Sequence, residues 1–146
     1  MKAYTDLEQS KALAEILPLD SADMCYIKHS SSDNPTWEFN EDFPPMILGN
    51  VPINEITAET LPCWSLSALL DVLQIYTTPT AFSTNISVPS LTKIKNGYSI
   101  TYVGDYRIME SNNNDIESPI EIVASNPIDA CYEMILRLHE LKMLRL

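Results

Sequence analysis

The spacing of apolar residues changes along this chain, and the change limits the folds that it can adopt. Over residues 66–76 apolar side chains recur about every three to four positions, which predicts an amphipathic helix. From Leu91 to Val103 they alternate with polar side chains, which predicts strands. From Pro127 onward the helical spacing returns. We therefore predict an α+β fold.

Two glycine-containing dipeptides divide the alternating part of the sequence. Asn96-Gly97 and Gly104-Asp105 supply the positive φ angles that two-residue hairpin turns need. They predict a three-stranded antiparallel meander of residues 91–95, 98–103 and 106–111. One more strand is expected over 119–124, just before the last helix.

Three helices are predicted from their first residues. Thr5 forms a capping box with Glu8 that begins a helix over 6–17. Ser65 begins the helix over 66–76, and Asn126 with Pro127 begins the last one. Residues 24–28 are rich in bulky side chains and are a candidate for a short strand. Residues 37–39 alternate and are expected to form a brief strand or an aromatic anchor for the preceding loop. Residues 40–62 contain four prolines and several acids and amides and are expected to be irregular. We therefore predict a single domain over residues 1–146, in which three helices pack on one face of an antiparallel sheet of four to five short strands.

The apolar stripes of the second and third helices indicate where the core lies. Both stripes need the same sheet face, so their members are expected to be almost fully buried. These residues are Leu69, Leu70, Leu73, Ile135 and Leu138.

The charge of the chain excludes several kinds of partner. Its 9 Lys and Arg residues and 20 Asp and Glu residues give a net charge of −11 at pH 7. A surface so negative repels nucleic-acid phosphates and anionic lipids, so we expect neither direct nucleic-acid binding nor membrane binding. The longest apolar runs are too short for a membrane span, and no secretory signal follows Met1. These features predict a cytoplasmic protein.

No catalytic motif is present. Cys25, Cys63 and Cys131 are odd in number and widely spaced, which predicts buried, reduced thiols rather than a zinc site. The 3 glycines of the chain form no phosphate-binding loop. The 2 histidines, His29 and His139, lie in no recognisable nucleophile–base motif. We therefore predict that the protein is not an enzyme and has no catalytic residues, cofactor or metal.

The clearest candidate for a functional surface is an acidic segment without Lys or Arg. From His29 through Thr92 every charged residue is an acid, so no neighbour in sequence neutralises the field. Aromatic residues among these acids would supply apolar anchors for a partner, while charge would contribute mainly to the rate of association. We predict that this segment presents one connected surface to a protein partner, with basic partners favoured. The candidate residues are Asp33, Trp37, Glu38, Phe39, Glu41, Asp42, Phe43, Glu55 and Glu59.

Several alternatives remain open at this point. The acids would copy nucleic-acid charge in an inhibitor of a basic protein, if they line one face. Glu38, Glu41 and Asp42 would form a carboxylate-based hydrolase cleft or a divalent-cation site, if their side chains converge. Scattered acids would serve only solubility.

Three stretches of the sequence resemble small uncharacterised proteins carried in phage, prophage and mobile regions of gut bacteria. They are residues 4–11 (YTDLEQSK), 61–70 (LPCWSLSALL) and 126–135 (NPIDACYEMI). The closing strand, Asn-Pro and helix are also similar to the end of phage ABA sandwich domains. The resemblance implies a phage or mobile-element accessory protein, and it transfers no functional residue.

Overall fold

The computed structural model of the protein describes residues 1–29, 33, 36–41, 58–77, 89–102 and 120–146. The chain divides into two compact units, one formed by Ala3–Ala68 and the other by Met1–Lys2 with Leu69–Leu146. Helices and antiparallel sheets occur in the described residues, which confirms the α+β class. That residues 1–146 form a single domain stays a prediction. No helix in the described ranges is both long and apolar enough to cross a bilayer.

The described part of the Ala3–Ala68 unit contains a helix, a short 3₁₀ helix and three strands. These are α1 (Leu7–Ala14), the 3₁₀ helix (Leu19–Ser21), β1 (Met24–His29), β2 (Trp37–Asn40) and β3 (Ala58–Cys63). The strands form one sheet in the order β2-β1-β3, with both pairs antiparallel. The predicted strands over 24–28 and 37–39 are therefore confirmed.

Helix α1 begins one residue later than predicted. Asp6 is its N-cap: the Asp6 carboxylate accepts a hydrogen bond from the Gln9 backbone N–H, and the Gln9 side chain accepts one from the Asp6 N–H. The predicted capping box of Thr5 and Glu8 is wrong, because Thr5 is fully buried and its hydroxyl accepts a hydrogen bond from the Trp64 N–H at 3.1 Å. The Thr5 hydroxyl, which was predicted to cap the helix, is therefore bonded to Trp64, a residue distant in the sequence.

Strand β3 overlaps residues 40–62, the stretch that was predicted to be irregular. The prediction rested on prolines, acids and amides, and Pro62 is the proline that lies in β3, although proline is usually excluded from strand interiors. It is tolerated here because β3 is at the edge of its sheet, where one side of the strand makes no ladder hydrogen bonds within that sheet. The predicted single sheet of four to five strands is corrected accordingly: the described strands form two sheets of three.

The second unit carries the other sheet. Its described elements are β4 (Ser90–Ile94), β5 (Gly97–Tyr102), β6 (Ile120–Ala124) and α3 (Pro127–Glu140), together with α2 (Leu66–Tyr76) from Leu69 onward. The strand order is β4-β5-β6, again antiparallel. The strand predicted over 119–124 is confirmed. The predicted meander is corrected in its third strand, because β6 pairs with β5 where 106–111 was expected; residues 106–111 lie outside the described ranges.

The hairpin between β4 and β5 turns at Lys95 and Asn96, one position before the predicted Asn96-Gly97 turn. Gly97 instead begins β5, opposite Ile94, with a φ of +152°. A Cβ atom on this residue would lie 2.3 Å from the carbonyl oxygen of Ala124 in β6. Gly97 is therefore required by the close approach of the neighbouring strand as well as by its own backbone conformation.

The predicted starts of the other two helices are confirmed. The Ala68 N–H donates to the Ser65 hydroxyl at 3.2 Å, and the Asp129 N–H donates to the Asn126 side chain at 2.9 Å. Leu69 and Leu73 are buried as predicted, but Leu70 is only half-buried. The buried stripe of α3 includes Ile128, Cys131, Met134, Ile135 and Leu138.

Candidate functional site

The register of sheet β2-β1-β3 places two aromatic residues of the candidate surface, Trp37 and Phe39, on one face. Trp37 pairs with Lys28, and Lys28 pairs with Glu59 on the other side of β1. Two positions along, Phe39 pairs with Tyr26. Because alternate residues of a strand share a face, these side chains stand on the same side of the sheet. We call this set, together with Tyr4, which stacks on it, the aromatic face: Tyr4, Tyr26, Lys28, Trp37, Phe39 and Glu59.

Three rings are in mutual contact on the aromatic face. Tyr4 stacks on Phe39 with 3.9 Å between ring centroids and 5° between planes. Tyr26 meets Phe39 edge-on at 5.9 Å and 65°, and meets Tyr4 at 6.5 Å and 69°. Tyr26 is buried, whereas Tyr4 and Phe39 are half-buried. The cluster therefore has a buried base and a partly solvent-accessible surface.

A cation lies beside these rings. The Lys28 Nζ is 5.8 Å from the centroid of the Trp37 ring, within the range of a cation–π interaction. Lys28 and Trp37 are both half-buried, and Glu59, next to Lys28 across the strands, is exposed. The acidic segment therefore does have a cation near it, which comes from β1 rather than from the segment itself.

The described candidate residues lie on both faces of sheet β2-β1-β3 and on either side of β2 in the sequence. Glu38 pairs with Ile27, so its side chain leaves the sheet on the face opposite Trp37, Phe39 and Glu59. Asp33 and Glu41 are exposed at positions before and after β2. The remaining candidates lie outside the described residues; they are Asp42, Phe43 and Glu55. That the nine residues form one connected surface stays a prediction.

Buried polar groups around Thr5 form hydrogen bonds with Tyr26 of the aromatic face. The Tyr26 hydroxyl donates to the Thr5 carbonyl at 2.8 Å. The Thr5 hydroxyl lies 2.8 Å from the Ser10 hydroxyl, and the Cys63 thiol donates to the Thr5 carbonyl at 3.4 Å. Since the backbone of Thr5 is held here, the preceding ring of Tyr4 is held against Phe39.

The thiols do not have the properties of reactive cysteines. All three are buried and lie outside any disulfide. Burial raises the pKa of Cys25 and of Cys63, and it raises the pKa of Cys131 to about 12. A nucleophilic cysteine needs the opposite shift, because the thiolate is the reactive form. Cys25 and Cys63 also cannot form a disulfide without backbone movement, since Cys25 pairs with Pro62 and the two side chains leave opposite faces of the sheet.

Burial also raises the pKa of the Tyr26 hydroxyl, and the nearby Cys63 thiol raises it further. Tyr26 therefore stays protonated and continues to donate to Thr5 over the ordinary pH range. Within the residues that the structure describes, no group of three or more His, Cys, Asp or Glu side chains is placed to hold a metal ion.

Sequence reasoning found Trp37 and Phe39 but missed Tyr4, Tyr26 and Lys28. The strand candidate over Met24–Lys28 was a usable signal, because alternate side chains of a strand share a face and Tyr26 and Lys28 are two residues apart. No pattern in the sequence connects Tyr4 with β2, since that contact depends on tertiary structure.

Comparison with known proteins adds no relative. No protein-family model matches the chain, and no curated protein and no solved structure matches it significantly.

Proposed function

We propose that the protein is a non-enzymatic accessory protein of a phage or mobile element, and that it acts in the cytoplasm by binding another protein through the aromatic face. The resemblance of three sequence stretches to phage-associated proteins supports the biological setting. The three cysteines lie outside any disulfide, a state that reducing compartments preserve, which supports a location in the cytoplasm.

One observation carries the binding proposal: large aromatic side chains share one face and stay partly accessible, and two of them are stacked. Tyr4 and Phe39 stack at 3.9 Å, and Trp37 is half-buried on the same face. Tyrosine and tryptophan are enriched among the few interface residues that supply most of the binding energy. Rings that are already fixed lose little conformational entropy on binding, so this face suits a partner.

The geometry favours an aromatic contact over a nucleic-acid mimic. A mimic needs its carboxylates aligned on one face, whereas Glu38 and Glu59 leave opposite faces of the sheet. In an aromatic contact the carboxylates at the rim contribute mainly to orientation and the rate of association.

The test compares partner recovery by single-residue variants. Tagged protein carrying Trp37→Ala or Phe39→Ala is purified from the native host beside the wild type. We expect about a tenfold or greater loss of the partner that the wild type recovers, as for central interface aromatics. The matched control is Val123→Ala, which removes an exposed apolar strand residue from the other unit. Equal recovery with both aromatic variants, at unchanged circular dichroism, would reject the aromatic face as the contact.

A further inference from the structure

We propose that the aromatic face takes arginine side chains from the partner, and that Lys28 occupies the place of one of them in the free protein. The inference rests on the proposed function and specifies its partner. It is drawn from the position of Lys28 between a tryptophan ring and a carboxylate.

The position of Lys28 shows that the half-buried Trp37 ring accepts a positive charge beside it. The Nζ atom lies 5.8 Å from the ring centroid, and a planar guanidinium stacks on such a ring better than an ammonium does. Phe39, on the same strand and face, forms with Tyr4 a second accessible aromatic surface beside it. Two neighbouring ring surfaces suit two cationic side chains of an extended or helical segment.

The exposed carboxylates of β3 and of the residues before and after β2 complement such a segment. Asp33, Glu41 and Glu59 are exposed, and no ion pair joins them to a cation among the described residues. Lys28 is the neighbour of Glu59 in the sheet register, yet its ammonium group lies over the Trp37 ring and makes no ion pair with that carboxylate. A guanidinium on Trp37 would have the Glu59 carboxylate on the same face of the sheet, on the far side of Lys28 and β1. A chain of net charge −11 attracts basic segments over longer distances.

The probe for the experiment is a blocked Gly-Ser peptide that carries spaced arginines. Matched peptides replace arginine with lysine or with citrulline, the neutral isostere. Binding is followed by the fluorescence of Trp37, because the other tryptophan, Trp64, is fully buried. We expect saturable binding of the arginine peptide, weaker binding of the lysine peptide and none of the citrulline peptide. A Trp37→Phe variant should lose the fluorescence change.

Two carboxylate variants separate a local contact from the general charge. Glu59→Gln removes a charge from the aromatic face, and Glu38→Gln removes one from the opposite face of the same sheet. We expect about a two- to fivefold weaker affinity for Glu59→Gln, which corresponds to one exposed ion pair, and a smaller change for Glu38→Gln. The difference in affinity between the two variants should shrink when the salt concentration is raised well above 0.1 M. At 0.1 M the screening length is about 10 Å, and it becomes shorter at higher concentrations.

The decisive variant is Lys28→Met. Methionine has an unbranched side chain like that of lysine but no charge, so the cation beside the Trp37 ring is removed. The arginine peptide should therefore bind about three- to tenfold more tightly, because no competing cation remains. If Lys28 instead contacts acids of the partner, the same variant binds more weakly. Weaker or unchanged binding by Lys28→Met, or equal binding of the citrulline peptide, would overturn the inference. The proposed function fails separately, when Trp37→Ala and Phe39→Ala still recover the natural partner.

Discussion

The ring of Tyr4 stacks on the ring of Phe39, with 3.9 Å between centroids and 5° between planes. Tyr4 precedes α1 and Phe39 lies in β2, so the contact joins the start of the Ala3–Ala68 unit to an edge strand of its sheet. It also gives the candidate surface its shape, since Tyr4 covers one side of the Phe39 ring.

Replacement of Phe39 by alanine should destabilise the Ala3–Ala68 unit. The change removes the stacked pair and the edge contact with Tyr26, with a loss of about 2–3 kcal/mol in the free energy of unfolding for a half-buried ring. Urea unfolding and near-ultraviolet circular dichroism measure the effect. Glu38→Ala, in the same strand but on the opposite face, is the control and should change stability by less than about 0.5 kcal/mol.

Gly97 should not tolerate alanine. The positive φ of +152° and the Ala124 carbonyl oxygen, 2.3 Å from the added Cβ, together predict a loss of about 2 kcal/mol or more. Thermal unfolding is a suitable measurement, and Asn96→Ala in the adjacent turn is the comparison. If Gly97→Ala melts with the wild type, the close approach of β6 at this position is not present in solution.

A glycine at position 142 should stabilise the C-terminal end of α3. Lys142 has a φ of 57°, its N–H donates to the His139 carbonyl at 3.0 Å, and the Met143 N–H donates to the Leu138 carbonyl at 2.8 Å, as in a Schellman cap. Lys142→Gly relieves the left-handed conformation and should add about 0.5–1 kcal/mol of stability. Lys142→Ala keeps the conformational cost and should add nothing, so the pair of variants tests the backbone effect alone.

Stability should decrease in alkaline solution because of the buried thiols. Burial raises the pKa of Cys131 to about 12, from an ordinary value of 9.0. The folded protein therefore keeps a proton that the unfolded chain loses, so this thiol has no effect below pH 9.0 and its effect grows above it. The limiting slope is about −1.4 kcal/mol per pH unit.

Urea unfolding from pH 7 to pH 10.5 measures this slope. The Cys131→Ala variant loses some stability at every pH through the smaller side chain, but its curve should be flatter above pH 9 than that of the wild type. Parallel curves would show that the thiol ionises equally in the folded and unfolded states.

Two adjacent leucines of α2 should differ in their contribution to the core. Leu69 is fully buried and Leu70 is half-buried. Leu69→Ala should lower the free energy of unfolding by about 2–5 kcal/mol, and Leu70→Ala by about 1–2 kcal/mol. Both substitutions have the same chemistry and the same effect on helix propensity, so the difference between them reports burial. Equal losses would contradict the orientation of the helix.

Local signals in the sequence were sufficient for the helices and most strands. Ser65 and Asn126 begin helices where predicted, because a helix cap depends on residues within about one turn of each other. Local signals failed where a distant group competes. The Thr5 hydroxyl interacts with Trp64 and Ser10, so Asp6 became the cap.

Strand pairing was the part that the sequence predicted least well. Pro62 concealed β3, because its tolerance depends on the strand lying at a sheet edge, which is a property of the assembled sheet. The pairing of β6 with β5 was missed for a related reason. Adjacent alternating segments favour a meander, whereas the actual neighbour is chosen by long-range packing that no short window contains.

The sequence by itself determined the α+β class, the acidity of the chain, the positions of the capped helices and the two aromatic residues of β2. Each of these depends on composition or on residues close together in the chain. Tertiary structure alone decided that Tyr4 and Lys28 join Trp37 and Phe39, and that Glu38 leaves the opposite face from Glu59. The reason is the alternation of side chains in strands, where register sets which face a charge occupies and register is fixed by pairing across the sheet.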